Sequence, residues 1–267
     1  MNRSNQQPIG IFDSGIGGLT VAKALQKYMP KERFIYFGDT VHLPYGDKSA
    51  DAIRYYCLKI SKFLLDQHCK LIIIACNSAS SVAYDMLVDF FDNEVLFVDV
   101  VDPLVDEVIR QGYRRVGVIA TKATINSSVY SKKINTINPE IEVVEVATPL
   151  LAPMIEEGFY NGTISRNIIE SYLSHPDLTG LDALLLACTH YPLIRNEIND
   201  FFMGKVAILD SIDVVHKKVE QLLDDNNMKS SQKNGEDLFY ISDYTPSFEN
   251  TARIFYGDAI RLKAIQL

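Results

Sequence analysis

The chain has 267 residues, of which 47% are hydrophobic and 22% are charged, and its formal net charge at pH 7 is −8. The apolar fraction is typical of a globular protein and excludes wholesale disorder. The acidic balance disfavours nucleic acid as the main ligand, because phosphate binding needs clustered cations. No apolar run approaches the roughly 18 residues of a membrane span, and the polar start, Met1–Gln7, lacks the apolar core of a secretory signal. We therefore expect a cytoplasmic protein of one large domain or two smaller ones.

Short apolar runs alternate with helix-like stretches along the chain. The runs predicted to be strands are Pro8–Phe12, Arg33–Phe37, Leu71–Ala75, Val95–Val98, Arg115–Ala120, Glu142–Val146, Ala183–Ala187, Val206–Leu209 and Leu238–Ser242. Ala50–Asp66 and Val101–Gln111 have the pattern of helices. This alternation predicts an α/β fold with mainly parallel sheets covered by helices. Asp224–Glu236 is polar and without periodicity, which predicts a mobile surface loop.

The four cysteines fall into two groups. Cys57 and Cys69 are expected to be small buried residues of the core. Cys76 and Cys188 each follow a predicted strand directly, in the similar segments KLIIIACNSAS and DALLLACTHYP. This echo predicts two similar α/β halves that contribute one cysteine each. The chain has no CxxC pair, which disfavours a structural zinc site.

Cys76 and Cys188 are candidates for chemistry because ligands of parallel sheets bind beyond the carboxyl ends of the strands. We expect Asn77 or Ser78 to cap the helix that follows Cys76, and Pro192 to lie in a first helical turn. A thiol at a helix N-terminus has its pKa lowered from about 8.5 towards neutrality. Two such thiols on opposite faces of one carbon could invert its configuration. A nucleophilic Cys188 with His190 as its base stays an open alternative.

Two glycine-containing turns follow the first two strands. Asp13–Gly18 (DSGIGG) could bring backbone N–H groups to an anionic ligand. Its spacing is not the GxGxxG of dinucleotide sites, so a nucleotide is the weaker interpretation. Gly38-Asp39-Thr40 and Pro44-Tyr45-Gly46, taken alone, are interpreted as a plain turn.

Five segments together resemble the cofactor-independent aspartate/glutamate racemase family, and its glutamate racemases in particular. They are GIFDSGIGGLTV (10–21), FGDT with PYG (37–46), ACNSAS (75–80), GVIATKATINSSVY (117–130) and ACTHYPL (187–193). The resemblance implies interconversion of L- and D-glutamate with no pyridoxal phosphate, metal or nucleotide. It further implies that D-glutamate is supplied for bacterial peptidoglycan, and it sets a homodimer as the expected assembly.

The resemblance also implies roles for individual residues. Cys76 and Cys188 match the two catalytic thiols, Asp13 the carboxylate that assists the first, and His190 the imidazole near the second. The residues matching those that hold glutamate are Asp13, Ser14, Tyr45, Gly46, Asn77, Ser78, Thr189 and His190. Ser78 stands where the family commonly has threonine, so the hydroxyl is kept. Glu156 or Glu157 matches a further acidic residue, and Thr121 and Thr124 receive no role.

The resemblance implies two α/β domains with the active site in the cleft between them. The expected division is residues 1–98 with 207–267 for the first domain, which holds Cys76, and residues 99–206 for the second, which holds Cys188. An aspartate racemase and a non-catalytic glutamate-binding protein are the alternatives. A thiol hydrolase is less favoured, because the chain has no GxSxG and the second cysteine would be unexplained.

Overall fold

Helices and strands alternate along the computed structural model, which describes residues 5–92 and 94–267. Within those ranges the strands are β1 (Ile9–Asp13), β2 (Phe34–Gly38), β3 (Leu71–Ile74), β4 (Leu96–Asp99), β5 (Arg115–Ala120), β6 (Glu142–Ala147), β7 (Ala183–Ala187), β8 (Ala207–Asp210), β9 (Leu238–Ile241) and β10 (Leu262–Ala264). The α-helices are α1 (Leu19–Tyr28), α2 (Ala50–Asp66), α3 (Asn77–Phe91), α4 (Asp102–Gln111), α5 (Lys122–Ser127), α6 (Val129–Ile137), α7 (Leu151–Glu156), α8 (Thr163–Leu173), α9 (Arg195–Phe201), α10 (Val215–Asp225) and α11 (Pro246–Phe255).

The first sheet has the strand order β10-β9-β2-β1-β3-β4, with every neighbouring pair parallel. Ile9 of β1 is paired with Phe34 on one side and with Leu71 on the other. β1, β2 and β3 are buried along their whole length, as parallel strands are when helices cover both faces.

The second sheet repeats this arrangement with fewer strands. Its order is β6-β5-β7-β8, and all its pairs are parallel. Val116 of β5 is paired with Val143 and with Ala183. Two parallel sheets with helices between their strands confirm the predicted fold class.

One buried apolar cluster extends through both sheets. It includes Ile11 and Leu19 beside the first sheet and Ile119 and Leu186 in the second. Burying one such side chain contributes about 1.5–3 kcal/mol. Shared apolar packing therefore holds the two sheets in a fixed relation, with the carboxyl ends of their strands facing one cleft.

The chain enters the second sheet after β4 and leaves it after β8. Residues 207–210 form β8 and pair with β7, although the expected division placed them in the first domain. We therefore propose that the second domain extends through Asp210. In that division, residues 5–99 and 211–267 build the domain of the first sheet, and residues 100–210 build the domain of the second.

The predicted strands all form, and no strand end differs from its predicted position by more than one residue. The structure adds β10, whose sequence Leu-Lys-Ala has no apolar run and is partly or fully exposed at the sheet edge. Helix α2 has the predicted bounds, and α4 begins one residue later than predicted. The described part of the chain contains no helix with the length and hydrophobicity of a membrane span. Residues 1–4 of the polar Met1–Gln7 stretch lie outside the described residues.

The prediction of a surface loop over Asp224–Glu236 is correct only in part. Helix α10 continues to Asp225, and Met228 and Ser230 are buried. Ser230 is held by Glu32, which accepts hydrogen bonds from the Ser230 backbone N–H at 2.7 Å and from its hydroxyl at 2.8 Å. Residues 231–236 are exposed. A buried carboxylate elsewhere in the chain thus fixes a segment whose own composition is polar.

Candidate active site

A cavity of about 220 Å³ lies where the carboxyl ends of the two sheets meet. Its lining residues are Ser14, Leu43, Pro44, Tyr45, Gly46, Cys76, Asn77, Ser78, Thr121, Ala152, Pro153, Glu156, Ala187, Cys188, Thr189 and His190. Every predicted site residue except Asp13 is among them, and Asp13 is buried beside Cys76. The cavity is smaller than the roughly 300–1,000 Å³ of pockets for drug-sized ligands, which points to a small substrate.

Cys76 lies at the junction of β3 and α3. Its Sγ is 3.6 Å from Ser14 Oγ, and the backbone N–H of Ala79 donates to it. Burial, and then the charge of the Asp13 carboxylate, raise the pKa of the Cys76 thiol well above its usual value. The predicted lowering of this pKa by the helix N-terminus is therefore wrong, because desolvation outweighs the donated N–H. Cys76 is a protonated thiol at neutral pH.

Asp13 ends β1 and turns its carboxylate back onto the following loop. Its Oδ2 accepts a hydrogen bond of 2.6 Å from the Gly18 backbone N–H. Its Oδ1 is buried and has no hydrogen-bond partner within the described residues. Burial raises the pKa of Asp13, and the positive charge of His190 and the N–H of Gly18 oppose that rise. The Asp13 carboxylate also interacts with the Ser14 backbone N–H and with the Cys76 side chain, so it lies beside that thiol.

Cys188 has a different neighbour, the imidazole of His190. The Cys188 Sγ is 3.6 Å from His190 Nδ1, and His190 Nε2 is 2.8 Å from Glu156 Oε1. Burial alone would lower the pKa of His190, but its hydrogen bonds with Cys188 and Glu156 raise that pKa well above the usual value. His190 is thus placed to stabilise negative charge on the Cys188 sulfur.

The structure distinguishes the two acidic residues of the MIEEG segment. Glu156 is the last residue of α7 and lines the cavity, whereas Glu157 is exposed. Only Glu156 contacts His190 among these two. The sequence indicated that one of two neighbouring glutamates belongs to the site. The direction in which each side chain leaves the end of α7 was needed to select Glu156.

The first turn of α3 is joined to the second domain by hydrogen bonds, and the two shortest involve Asn77 and Ser78. The Tyr130 hydroxyl donates to Asn77 Oδ1 at 2.6 Å, and Ser78 Oγ is 2.8 Å from Thr121 Oγ1. Asn77 Nδ2 is buried and has no partner within the described residues. The expected capping of α3 by Asn77 or Ser78 is wrong: Cys76 occupies the cap position, and both side chains are turned to neighbouring groups.

Tyr45 reaches the cavity from a loop that Asp39 fixes. The Tyr45 hydroxyl donates to Asp39 Oδ2 at 2.6 Å, and Ser242 Oγ donates to Asp39 Oδ1 at 2.9 Å. The His42 ring lies against the same carboxylate, at 2.9 Å from Oδ1, and outside the cavity lining. The residues interpreted as a plain turn therefore line the cavity at Pro44, Tyr45 and Gly46, and hydrogen bonds to Asp39 hold them in place.

Gly17 and Gly46 allow the two domains to approach closely at the cavity. A Cβ on Gly17 would lie 2.5 Å from Thr189 Oγ1 and 2.5 Å from His190 Cε1. A Cβ on Gly46 would lie 2.8 Å from Thr121 Cβ. The space beside Gly17 is thus filled by protein side chains, so this glycine serves domain contact where the sequence indicated approach to a ligand.

The cavity lining combines apolar surface with polar side chains and carries few charges. No lysine or arginine is among the described residues that line it, and its ionisable groups besides Tyr45 and the two thiols are Glu156 and His190. Neutral donors from hydroxyl, amide and backbone N–H groups are therefore available for an anionic ligand. Within the described residues, no three His, Cys, Asp or Glu side chains are grouped as metal ligands.

Sequence reasoning left out Tyr130, Thr121 and Asp39 as site residues. Thr121 and Tyr130 belong to GVIATKATINSSVY, a segment that carries the resemblance but had no assigned role. Asp39 belongs to Gly38-Asp39-Thr40, which the sequence alone assigned to a turn. Tyr130 and Thr121 contact residues of the other domain, and Asp39 joins Tyr45 to the distant Ser242, so the local pattern did not indicate these contacts.

Taken together, the fold and the cavity define an α/β enzyme of two similar halves, with a cysteine from each half at one small-molecule site. A model of the Asp/Glu/Hydantoin racemase family matches residues 20–219. The chain belongs to this racemase family.

Relatives and solved structures agree with this assignment. A glutamate racemase from Geobacter metallireducens is 40% identical over 253 residues, which cover 93% of this chain and 92% of that protein. The crystal structure of glutamate racemase from Francisella tularensis in complex with D-glutamate superposes with a TM-score of 0.92, at 38% identity and 98% coverage of both chains. An aspartate racemase homologue from Pyrococcus horikoshii has a TM-score of 0.57 at 19% identity, covers 82% of this chain and 99% of its own, and shares the fold.

Proposed function

We propose that the protein is a glutamate racemase that interconverts L- and D-glutamate without a cofactor, using Cys76 and Cys188 as its two acid/base groups. The observation that carries the proposal is that these cysteines, from different sheets, line one cavity of about 220 Å³. The 40% identity to a named glutamate racemase over most of the chain supports glutamate as the substrate.

The two cysteines take opposite roles in one turnover. In the direction that starts at Cys188, this residue, supported by His190, acts as the base that removes the proton from Cα. Cys76 is the thiol that delivers a proton to the opposite face of the same carbon. The electron pair of the broken C–H bond resides on the substrate until Cys76 donates its proton. The cycle ends with Cys188 as thiol and Cys76 as thiolate, which is the state required by the other enantiomer.

The substrate carboxylates are bound by neutral donors in this proposal. Ser14, Asn77, Ser78 and Thr189 offer hydroxyl, amide and backbone groups, with Tyr45 and Gly46 on the adjoining wall. Removing the α-proton moves negative charge onto the α-carboxylate, so donors aimed at it stabilise the transition state. Asp13 assists Cys76 and His190 assists Cys188, with Glu156 holding His190 charged.

The cellular role is part of the same proposal. D-glutamate formed in the cytoplasm is supplied to peptidoglycan synthesis, so the enzyme contributes to cell-wall biogenesis and cell shape. A homodimer is the proposed assembly. The resemblance to the racemase family supports both statements.

Two other functions are compatible with a paired-cysteine cavity or with its Cys188–His190 contact. An aspartate racemase would use the same two-thiol chemistry on a shorter acid, but the 40% identical relative is named for glutamate. The Cys188–His190 contact of 3.6 Å would by itself suit a nucleophilic cysteine. That interpretation leaves Cys76 in the same cavity unexplained.

Proton NMR of L-glutamate with the purified protein in heavy water tests the proposal, with no cofactor added. Loss of the Cα–H signal together with falling optical rotation is the expected result. Exchange with aspartate and none with glutamate would assign the protein to aspartate. No exchange with either amino acid, in a protein that binds glutamate, would make it a binding protein.

A further inference from the structure

Tyr130 is the second residue of α6 in the second domain, and it is completely buried. Its hydroxyl crosses to the first domain and donates to Asn77 Oδ1 at 2.6 Å, over 53 residues of sequence. Asn77 is the first residue of α3 and lines the cavity directly after Cys76. A side chain of one domain therefore contacts a cavity-lining amide of the other.

The chemistry of the phenol fixes the direction of this hydrogen bond. A buried O–H group needs an acceptor, because leaving its proton unpaired costs free energy. Asn77 Oδ1 is the acceptor that the structure provides for Tyr130 within the described residues. The amide oxygen consequently faces Tyr130, and the amide nitrogen faces the other way. That nitrogen, Nδ2, is buried and has no partner within the described residues.

We propose that Tyr130 is a positioning residue, whose hydroxyl holds Asn77 with its amide nitrogen turned to the cavity as a donor for a substrate carboxylate. The inference rests on the proposed function, because it takes glutamate as the ligand. If the amide turned over, its oxygen would face the carboxylate and repel it. Tyr130 acts through Asn77 and lies outside the cavity lining.

The contact between Ser78 and Thr121 is a second hydrogen bond between the first turn of α3 and the second domain. Both bonds join the first turn of α3 to the start of α5 or α6 in the second domain. The donors of this turn are therefore oriented by the second domain, and they are complete only when the two domains are packed together. Substrate affinity therefore depends on the contact between the domains at this turn. The two thiols depend on other neighbours, Cys76 on Ser14 and Asp13 and Cys188 on His190.

The variant Tyr130→Phe removes the hydroxyl and keeps the ring in its place. Without a donor, Asn77 loses its preferred orientation, and a hydrogen bond to a charged carboxylate is weakened. We expect the KM for both enantiomers, and the Kd of D-glutamate by calorimetry, to rise about tenfold, with kcat within about twofold. Tyr172→Phe is the matched control: the Tyr172 hydroxyl, also in the second domain, accepts from the Leu150 N–H outside the cavity lining. Its KM and Kd should stay unchanged.

A double-mutant cycle with Asn77→Ala separates positioning from a general structural effect. If Tyr130 acts through Asn77, Tyr130→Phe has no further effect on Kd in the Asn77→Ala background. An equal rise in both backgrounds, or no rise in the single variant, overturns the proposal. Because calorimetry reports binding whether or not the bound ligand is then racemised, a wild type that binds D-glutamate but does not racemise it refutes the proposed function and still tests Tyr130. A wild type that neither binds nor racemises glutamate overturns both.

Discussion

Cys76 and Cys188 line the same cavity in opposite electrostatic settings. The Asp13 carboxylate stands beside Cys76 and, with burial, raises the pKa of its thiol. The His190 imidazole lies 3.6 Å from Cys188 Sγ, and its hydrogen bonds with Cys188 and Glu156 raise its pKa. Two acid/base groups with different neighbours are thus present at one cavity, and inversion at one carbon requires two such groups.

Replacing either cavity cysteine by serine should abolish racemisation. A hydroxyl is far less acidic than a thiol, and losing one acid/base group typically costs about 10²–10⁴ in rate. Each single variant keeps one base, so it should still eliminate a leaving group from the β-carbon of a substrate analogue. Circular dichroism follows racemisation, and analogue breakdown is measured separately.

Cys69→Ala is the matched control for these variants, because Cys69 is buried and lies outside the cavity lining. Its racemisation rate should equal that of the wild type. Full racemisation by Cys76→Ser or Cys188→Ser would refute the two-thiol assignment.

Glu156→Gln should shift the pH dependence of kcat/KM. The hydrogen bond and charge of Glu156 help to raise the pKa of His190, so their removal lowers that pKa. His190 must be protonated to stabilise the Cys188 thiolate, and the variant loses that proton at a lower pH. The alkaline fall in kcat/KM should therefore begin at lower pH in Glu156→Gln. Glu157→Gln, at an exposed neighbouring position, should leave the profile unchanged; a shift there of the same size would contradict the role given to Glu156.

The pattern of strands and polar residues was enough to predict the sheets and the position of both cavity cysteines. Each strand is a short apolar run, and parallel strands bring their carboxyl ends to one edge, so Cys76 and Cys188 could be placed from sequence. Strand β10 could not be predicted, because Leu262, Lys263 and Ala264 have no apolar pattern and pair at an exposed edge of the sheet.

The electrostatics of the cavity could not be predicted in the same way. The helix N-terminus behind Cys76 suggests a lowered pKa, but the depth of burial and the nearness of Asp13 reverse it. Likewise, the contact between Tyr130 and Asn77 joins two domains, and its two residues are separated by 53 positions. The pKa of Cys76 and the contact between Tyr130 and Asn77 both depend on tertiary packing, which the spacing of residues along the chain does not determine.

Dialysis against a metal chelator, and separate treatment with a carbonyl reagent, should leave racemisation intact. The two-thiol chemistry uses side chains for both proton transfers, so neither a metal nor pyridoxal phosphate takes part in it. Activity is measured before and after each treatment, with a pyridoxal phosphate enzyme as a positive control for the carbonyl reagent. Loss of activity that the removed metal or pyridoxal phosphate restores would show that the protein depends on a cofactor.

Lys70→Met should destabilise the protein without changing its kinetic constants. Lys70 Nζ is buried and donates to Glu32 Oε2, to the backbone carbonyls of Asn5 and Met228, each at 2.7 Å, and to Ser230 Oγ at 3.1 Å. Removing one partner of a buried ion pair leaves the other charge uncompensated and costs about 3–5 kcal/mol. Urea denaturation measures the loss, and Lys70→Met with Glu32→Gln should lose less than the sum of the single variants. Additive losses would show that the two charges do not interact.

Asp99 makes the stability of the protein depend on pH. This residue ends β4, where the chain passes to the second domain, and it is almost completely buried. Burial, and then the charge of Asp102, raise the pKa of Asp99 from 3.8 to about 7. Between these two values the folded state binds a proton that the unfolded state has released, so the free energy of unfolding falls as pH rises from about 4 to 7. For one proton the slope is at most about 1.4 kcal/mol per pH unit.

Asp99→Asn should remove this part of the pH dependence. The amide keeps the oxygen that accepts the Asp102 N–H at 3.0 Å, so the local structure is preserved while the titrating proton is lost. Urea denaturation of wild type and variant at several pH values between 4 and 8 measures the difference. We expect the variant to gain stability relative to the wild type as the pH rises from about 4 to 7, and the gain to level off above 7, because between these values only the unfolded wild type releases the Asp99 proton. A constant difference across that range would show that Asp99 has an ordinary pKa in the folded protein, and that its charge is compensated by neighbours such as Lys133, whose charge opposes the rise in its pKa.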